Sequence, residues 1–272
     1  MPRSGSKQLR AARVASDDSD PPQRRHRSSG FVLPLNILPQ PDEVTCGPTC
    51  LHAIYRYWGD EDPLPAVIAR TRRLDEGGTF AVFLACDALA RGYGATIYTY
   101  NLLVFDPTWF RPGVDLAERL QRQLAVKRDP RLHHATDGYL EFLRRGGGLR
   151  HRDLSPRLIR RLVHHGLPLL TGLSATYLYR APREQPDGQC DDVGGTPAGH
   201  FVVIAGYDER RRTLLIVDPY QTTPYGPSRA YWIDADRAIG AILLGIVTHD
   251  ANLLVVHPPR HGWRRPAVGD YR

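Results

Sequence analysis

Cys46 follows the polar stretch Gln40-Pro41-Asp42-Glu43-Val44-Thr45 and precedes Gly47-Pro48, after which Leu51, Ile54, Tyr55 and Trp58 recur at helical spacing until Gly59. Proline suits a first helical turn, where its missing N–H would go unbonded anyway. The pattern therefore predicts a helix that opens on the cysteine. A sulfur placed there meets the free N–H groups and the positive end of the helix dipole, which favour a thiolate. That is what a cysteine nucleophile needs. The competing reading, a small buried apolar cysteine, fits less well, because core cysteines seldom open a helix behind a Gly-Pro turn.

A base for the thiol is offered by His200, which stands before the apolar run Phe201-Val202-Val203-Ile204-Ala205-Gly206. Turn residues at 208–212, a second apolar run at 213–217 and then Asp218-Pro219 follow. A hairpin turning at Glu209 sets His200 directly opposite Asp218 on one face, with Cβ atoms about 4.5–5.5 Å apart, so that the carboxylate can hold an imidazole nitrogen. His200 would then take the Cys46 proton, while Asp218 fixes the ring tautomer and steadies the imidazolium. A register slip of one residue would carry Asp218 to the other face. Taken singly, His200 reads as a strand-edge histidine and Asp218 as a turn-initiating Asp-Pro; with Cys46 they read as a site. Acyl transfer also needs donors for an oxyanion. The Gln40 side chain, six residues before the cysteine, and the Cys46 backbone N–H are the candidates.

The elements that would position these groups are helical first and extended later. Helices are predicted from Cys46, over 65–74, over 80–91 behind a Thr79 cap, over 115–126, over 136–145, and over 156–165 behind a Ser155 cap. Strands are predicted over 167–173, 201–206, 213–217, 229–233 and 253–256. This order points to an α+β domain.

Length and composition bound the rest. The chain has 272 residues, of which 42% are hydrophobic, enough for one sizeable core. Its apolar runs, 241–247 and 253–256 among them, fall far short of the roughly 20 residues that cross a bilayer, so no membrane partner is expected. The first thirty residues hold seven Lys/Arg against three Asp, and residues 260–272 hold four Arg against one Asp, so the two tails carry the whole net charge of +7. The body between them is balanced and shows no basic stripe with interleaved aromatics, which argues against nucleic acid as a partner. Three segments are expected: a disordered basic tail over 1–30, one domain over 31–258 and a basic tail over 259–272. Four cysteines without a CxxC pair argue against a disulfide framework and suit a reducing, cytoplasmic setting. Basic residues do precede an apolar run near residue 31, but Pro34, Asn36 and Pro39 interrupt it and no small-residue cleavage site follows, unlike a secretory signal.

Taken together, Leu38-Pro39-Gln40-Pro41-Asp42-Glu43-Val44-Thr45-Cys46-Gly47-Pro48-Thr49-Cys50-Leu51, His200-Phe201-Val202-Val203-Ile204-Ala205-Gly206-Tyr207-Asp208 and Val217-Asp218-Pro219 resemble the C39-type cysteine peptidases of the papain-like group, in particular the soluble C39-like branch. The resemblance implies a papain-like α+β fold, a helical N-terminal part with the nucleophile at a helix N-terminus packed on an antiparallel sheet. It also implies Cys46 as nucleophile, His200 as base, Asp218 as its orienter and Gln40 in the oxyanion hole, acting on a peptide or protein substrate without a cofactor. Bacteriocin-processing members are fused to membrane and ATPase segments and cut after double glycines. This chain shows no membrane span and no nucleotide-phosphate motif, and insertions at about 105–153 and 177–199 separate its motifs. The double-glycine specificity is therefore not carried over.

The rival sites are weaker. Cys46 and Cys50 share a helix face, but His52 lies about 200° beyond Cys50, which makes a poor zinc cage. Gly146-Gly147-Gly148 lacks a following Lys-Ser/Thr and reads as a helix stop rather than a phosphate cradle. Hydrolysis of a peptide or related amide through a Cys46 thioester is thus the leading reading. Acyl or aminoacyl transfer on the same residues and a catalytically silent peptide-binding module are the alternatives.

Overall fold

The helical periodicity that begins at Cys46 becomes α1, Cys46–Tyr57, in the computed structural model, which describes residues 30–75, 77–248 and 250–259. The expected basic tails lie, but for residues 30 and 259, outside the described residues. Helices α2 (Leu64–Arg70), α3 (Ala81–Ala90), α4 (Leu116–Val126), α5 (Pro130–Arg144) and α6 (Pro156–His164) fill the first part of the chain, and short α7 (Ala175–Tyr179) and α8 (Ala235–Leu244) fall in the second.

Strands β1 (Phe31–Val32), β2 (Gly94–Thr99), β3 (Gly148–Arg150), β4 (Leu169–Ser174), β5 (Gly199–Asp208), β6 (Thr213–Val217), β7 (Ala230–Asp234) and β8 (Asn252–His257) form one sheet. Its order is β3-β2-β8-β4-β5-β6-β7, with β1 added on β5, and the pairing is antiparallel except between β2 and β3. Every residue of β4 is buried, as is all of β5 beyond Gly199. These central strands are continuous apolar runs because packing covers both faces: α1 and α6 lie against β5, α8 lies against β4, and α3 lies against β2 and β8. The α+β class is as expected.

Several boundaries differ from the sequence expectation. α2 stops at Arg70 rather than at 74, because Gly77 and Gly78, at φ of 92° and 76°, turn the chain back and the Leu74 N–H bonds the Gly78 carbonyl at 3.1 Å. α5 starts six residues early, at Pro130, where the Asp129 carboxylate accepts from the Leu132 N–H at 3.1 Å. Asp115 and Ser155 cap α4 and α6. Thr79 does not cap α3; its hydroxyl donates to the Arg72 carbonyl at 2.7 Å. The buried Asp250 takes over, its Oδ2 accepting from the Ala81 N–H at 2.6 Å while Oδ1 accepts from the Asn252 amide. Burial pushes the Asp250 carboxyl up to about 7, against the pull of those two hydrogen bonds. Asp250→Ala would leave the Ala81 N–H unsatisfied inside the protein and should cost about 1–3 kcal/mol, readable as a lowered urea midpoint with unchanged m.

The β5–β6 hairpin corrects the register. Asp208 pairs with Thr213 and Gly206 with Leu215, but a bulge between Ile204 and Gly206 shifts the pairing, so that Ile204 faces Ile216 and Val203 faces Val217. Without the bulge, Asp218 would share the face of Val203. With it, Asp218 aligns with Val202 and so shares the face of His200. The two residues are diagonal neighbours rather than directly opposite.

Candidate active site

The start of α1 is shaped to leave its N–H groups open. Thr45, at the cap position, turns its hydroxyl away from the helix, donating to the Asp42 carbonyl at 3.2 Å and accepting from the Asp42 N–H at 3.3 Å. Pro48 has no N–H to offer. Among the described residues, neither the Cys46 nor the Gly47 N–H has a partner, so the half-buried Cys46 thiol sits beside two free donors at a dipole's positive end. Gly47 lets the helix come this close to the sheet, since a Cβ there would stand 2.7 Å from Thr79 Cγ2 and 3.2 Å from the Phe201 ring.

His200, at the start of β5, faces Cys46 across a cleft of about 630 Å³ whose walls include Val44, Leu74, Thr79, Phe201 and Asp250. Its Nε2 hydrogen-bonds Asp218 Oδ1 at 3.0 Å, and both side chains are almost fully buried. Nδ1 is therefore the nitrogen left to meet the Cys46 sulfur, which also bears on the ring's charge. Burial disfavours the imidazolium, but the Asp218 charge and hydrogen bond and the contact with Cys46 outweigh it and hold its pKa up at about 10. Asp218 is held below the usual carboxylate range. Burial opposes this, but the His200 charge and hydrogen bond, the Tyr179 hydroxyl and the Tyr220 N–H outweigh it.

Each oxygen of Asp218 has two donors. Oδ1 accepts from His200 Nε2 and, at 3.0 Å, from the Tyr220 N–H; Oδ2 accepts from the Tyr179 and Tyr231 hydroxyls at 2.5 and 2.7 Å. The Tyr220 ring lies flat on the imidazole, with centroids 3.9 Å apart and planes 8° apart. These three tyrosines were missed in the sequence. Tyr231 had a signal, since β6–β7 pairing sets it opposite Ile216, on the face that continues to Asp218. Tyr179 arrives from a separate helix and left none. Tyr179→Phe or Tyr231→Phe takes one donor from a buried carboxylate and should each cost about 1.5–3 kcal/mol in urea unfolding at pH 7.

Gln40 lies next to this group without lining the cleft. Its N–H donates to the Pro219 carbonyl at 2.9 Å, its Nε2 donates to the Asp42 carbonyl at 2.8 Å, and its buried Oε1 has no partner. One side-chain N–H is thus engaged and a second remains. Cys50 is a core thiol. It is fully buried and donates to the Phe201 carbonyl at 3.3 Å, and its pKa is driven up by burial and then by the charges of Cys46 and Asp218. All four cysteines are free. No helix among the described residues is long and apolar enough to cross a membrane.

A helix opening on a cysteine is packed here on a largely antiparallel sheet that carries a His–Asp pair, in an α+β fold. Residues 153–236 match the model of the Peptidase_C39 like family. That stretch holds His200 and Asp218 but not Cys46 or Gln40. No curated protein matches. Three solved structures are similar at 13% identity. A C39-like peptidase candidate from Bacillus anthracis has a TM-score of 0.45, with 84% of this chain and 96% of that one covered. A double glycine motif protease from an AMS/PCAT transporter, in complex with the leader peptide, has 0.39, with 84% and 94% covered. Xylellain, a cysteine protease from Xylella fastidiosa, also has 0.39, with 85% and 86% covered.

Proposed function

We propose that the chain is a cysteine peptidase that hydrolyses a peptide or related amide bond through a thioester on Cys46. The observation that carries this reading is the buried His200–Asp218 pair, turned toward a sulfur at an uncapped helix mouth on one open cleft. With His200 holding the proton, the Cys46 sulfur attacks the scissile carbonyl carbon. The oxygen that becomes negative lies against the open N–H groups of the α1 first turn, with the unengaged Gln40 amide N–H as a further donor. His200 then gives its proton to the departing nitrogen, the C–N bond breaks and a thioester remains. Water, losing its proton to His200, attacks the thioester, and the acid product leaves with Cys46 restored. Asp218 stays ionised throughout and keeps the ring oriented. The tails at 1–30 and 259–272 lie outside this 31–258 domain, and four free cysteines suit a cytoplasmic setting. Profiling against a peptide library, with Cys46→Ala as control, tests the proposal. Cleavage by the parent protein alone supports it, equal cleavage by both points to a contaminant, and binding of peptides without cleavage would make the chain a binding module. Adding amines to the assay separates transfer from hydrolysis.

A further inference from the structure

A second cavity, of about 730 Å³, shares no lining residue with the Cys46 cleft. It is built where β3 runs into α6, and its walls carry Arg150, Arg152, Arg157 and Arg161, with His151 and Phe110 beside them. Arg150 ends β3 and Arg152 follows in the segment that leads to α6, and both line the cavity; Arg157 and Arg161 are one helical turn apart. Four guanidiniums thus converge from two segments in a chain body whose net charge is zero. Among the described residues, none of the four makes an ion pair or a side-chain hydrogen bond, whereas the neighbouring Arg160 pairs with Glu209. One carboxylate, Asp153, also lines the cavity, leaving a formal excess of three positive charges.

Three further features suit an anion. Ser155 and Arg157 put the N-terminus of the nine-residue α6 on the cavity wall, where the helix dipole favours negative charge, although Ser155 already holds the Leu158 N–H and Pro156 has none to offer. His151 is held by its Nδ1–H on the Thr99 carbonyl at 3.0 Å, so Nε2 is the nitrogen free to meet a ligand. Behind it, the Tyr100 hydroxyl is buried without a partner, and its ring lies 6.5 Å from that of His151. Repulsion among unpaired guanidiniums costs stability, and a multiply charged oxyanion would relieve it. Planar, bidentate forks recognise phosphate oxygens in particular.

We propose that this cavity binds a polyanionic phosphate ester, of the size of a nucleoside polyphosphate. Residues 150–152 and Phe110 come from or border the long insertion, so the site is an addition to the peptidase-like frame. It is independent of the reading of Cys46. Inorganic pyrophosphate and ATP, titrated into the full-length protein by calorimetry at fixed ionic strength, are expected to bind saturably. Arg157→Ala/Arg161→Ala and Arg150→Ala/Arg152→Ala should each weaken binding at least tenfold. Arg122→Ala/Arg128→Ala, two exposed arginines outside the cavity, should leave it unchanged. Circular dichroism checks that the variants are folded. Tighter binding of ATP than of pyrophosphate would assign the nucleoside to the Phe110–His151 wall, which stacks at 5.2 Å; equal binding would assign the phosphates alone to the arginines. Absence of saturable binding, or binding that survives both cavity variants and so belongs to the arginine-rich tails, would overturn the proposal.

Discussion

Replacing His200 by alanine is expected to cost Cys46 its selective reactivity. Near pH 6, iodoacetamide should label the parent protein at Cys46, and in His200→Ala that labelling should fall by about 10²-fold or more, the scale of a positioned acid–base partner. The remaining thiols provide the contrast. Cys50 is sealed under Phe201, burial pushes the Cys86 thiol up to about 12, and Cys190 is exposed. Mass mapping of the alkylated peptides reads the result residue by residue. Equal labelling of Cys46 and Cys190 in the parent would mean that His200 does not activate the sulfur, and would favour a binding module. The variant should fold, since the lost ring leaves Asp218 with three donors.

Local chemistry was the legible part. Gly-Pro after Cys46, with Leu51, Ile54 and Tyr55 behind it, is enough to open a helix on the sulfur, and the helix opens on that residue. The strands flanking the turn were legible for the same reason, as apolar runs between turn residues. What a linear reading could not supply is the bulge between Ile204 and Gly206. Its hydrogen-bond pattern is decided by how β1 and β6 close on β5, and a Cβ on Gly206 would meet Leu215 Cβ at 2.9 Å and the Phe31 carbonyl at 3.0 Å. The expected meeting of His200 and Asp218 therefore occurs by a different register.

The shell around the pair was illegible because it is tertiary. Tyr179 ends a short helix 39 residues before the acid it serves, and Asp250 caps a helix whose first residue lies 169 positions away. Neither spacing has a pattern to read. The arginine cavity is similar: 150–152 and 157–161 are close in sequence, but only the fold of β3 against α6 turns them toward one space. Motifs thus locate the candidate residues, and long-range packing decides what holds them.

The sharpest separation of orientation from packing comes from Asp218→Asn. Asparagine keeps the size of the side chain, its carbonyl can still face His200 Nε2 and the Tyr220 N–H, and the Tyr179 and Tyr231 hydroxyls can rotate to accept from its amide. The fold should survive; the charge does not. His200 has an ordinary value of 6.5 and a folded value near 10. Its raised pKa contributes stability that is fully present below 6.5 and lost as pH rises through about 10. Asp218 is lowered from 3.8, so its contribution is present above 3.8 and lost as pH falls through its folded value. The parent should therefore be most stable between these limits, and its alkaline activity limb should lie near 10. With the carboxylate gone, the main force raising His200 disappears while its burial stays, so the alkaline limb should move down toward the ordinary histidine range. Turnover should fall by about 10²–10⁴-fold with near-unchanged circular dichroism. The pH profile distinguishes orientation from mere support, since a packing defect lowers activity at every pH without moving the limb. An alkaline limb still near 10 in Asp218→Asn, with turnover intact, would remove Asp218 from the site and leave His200 to act alone.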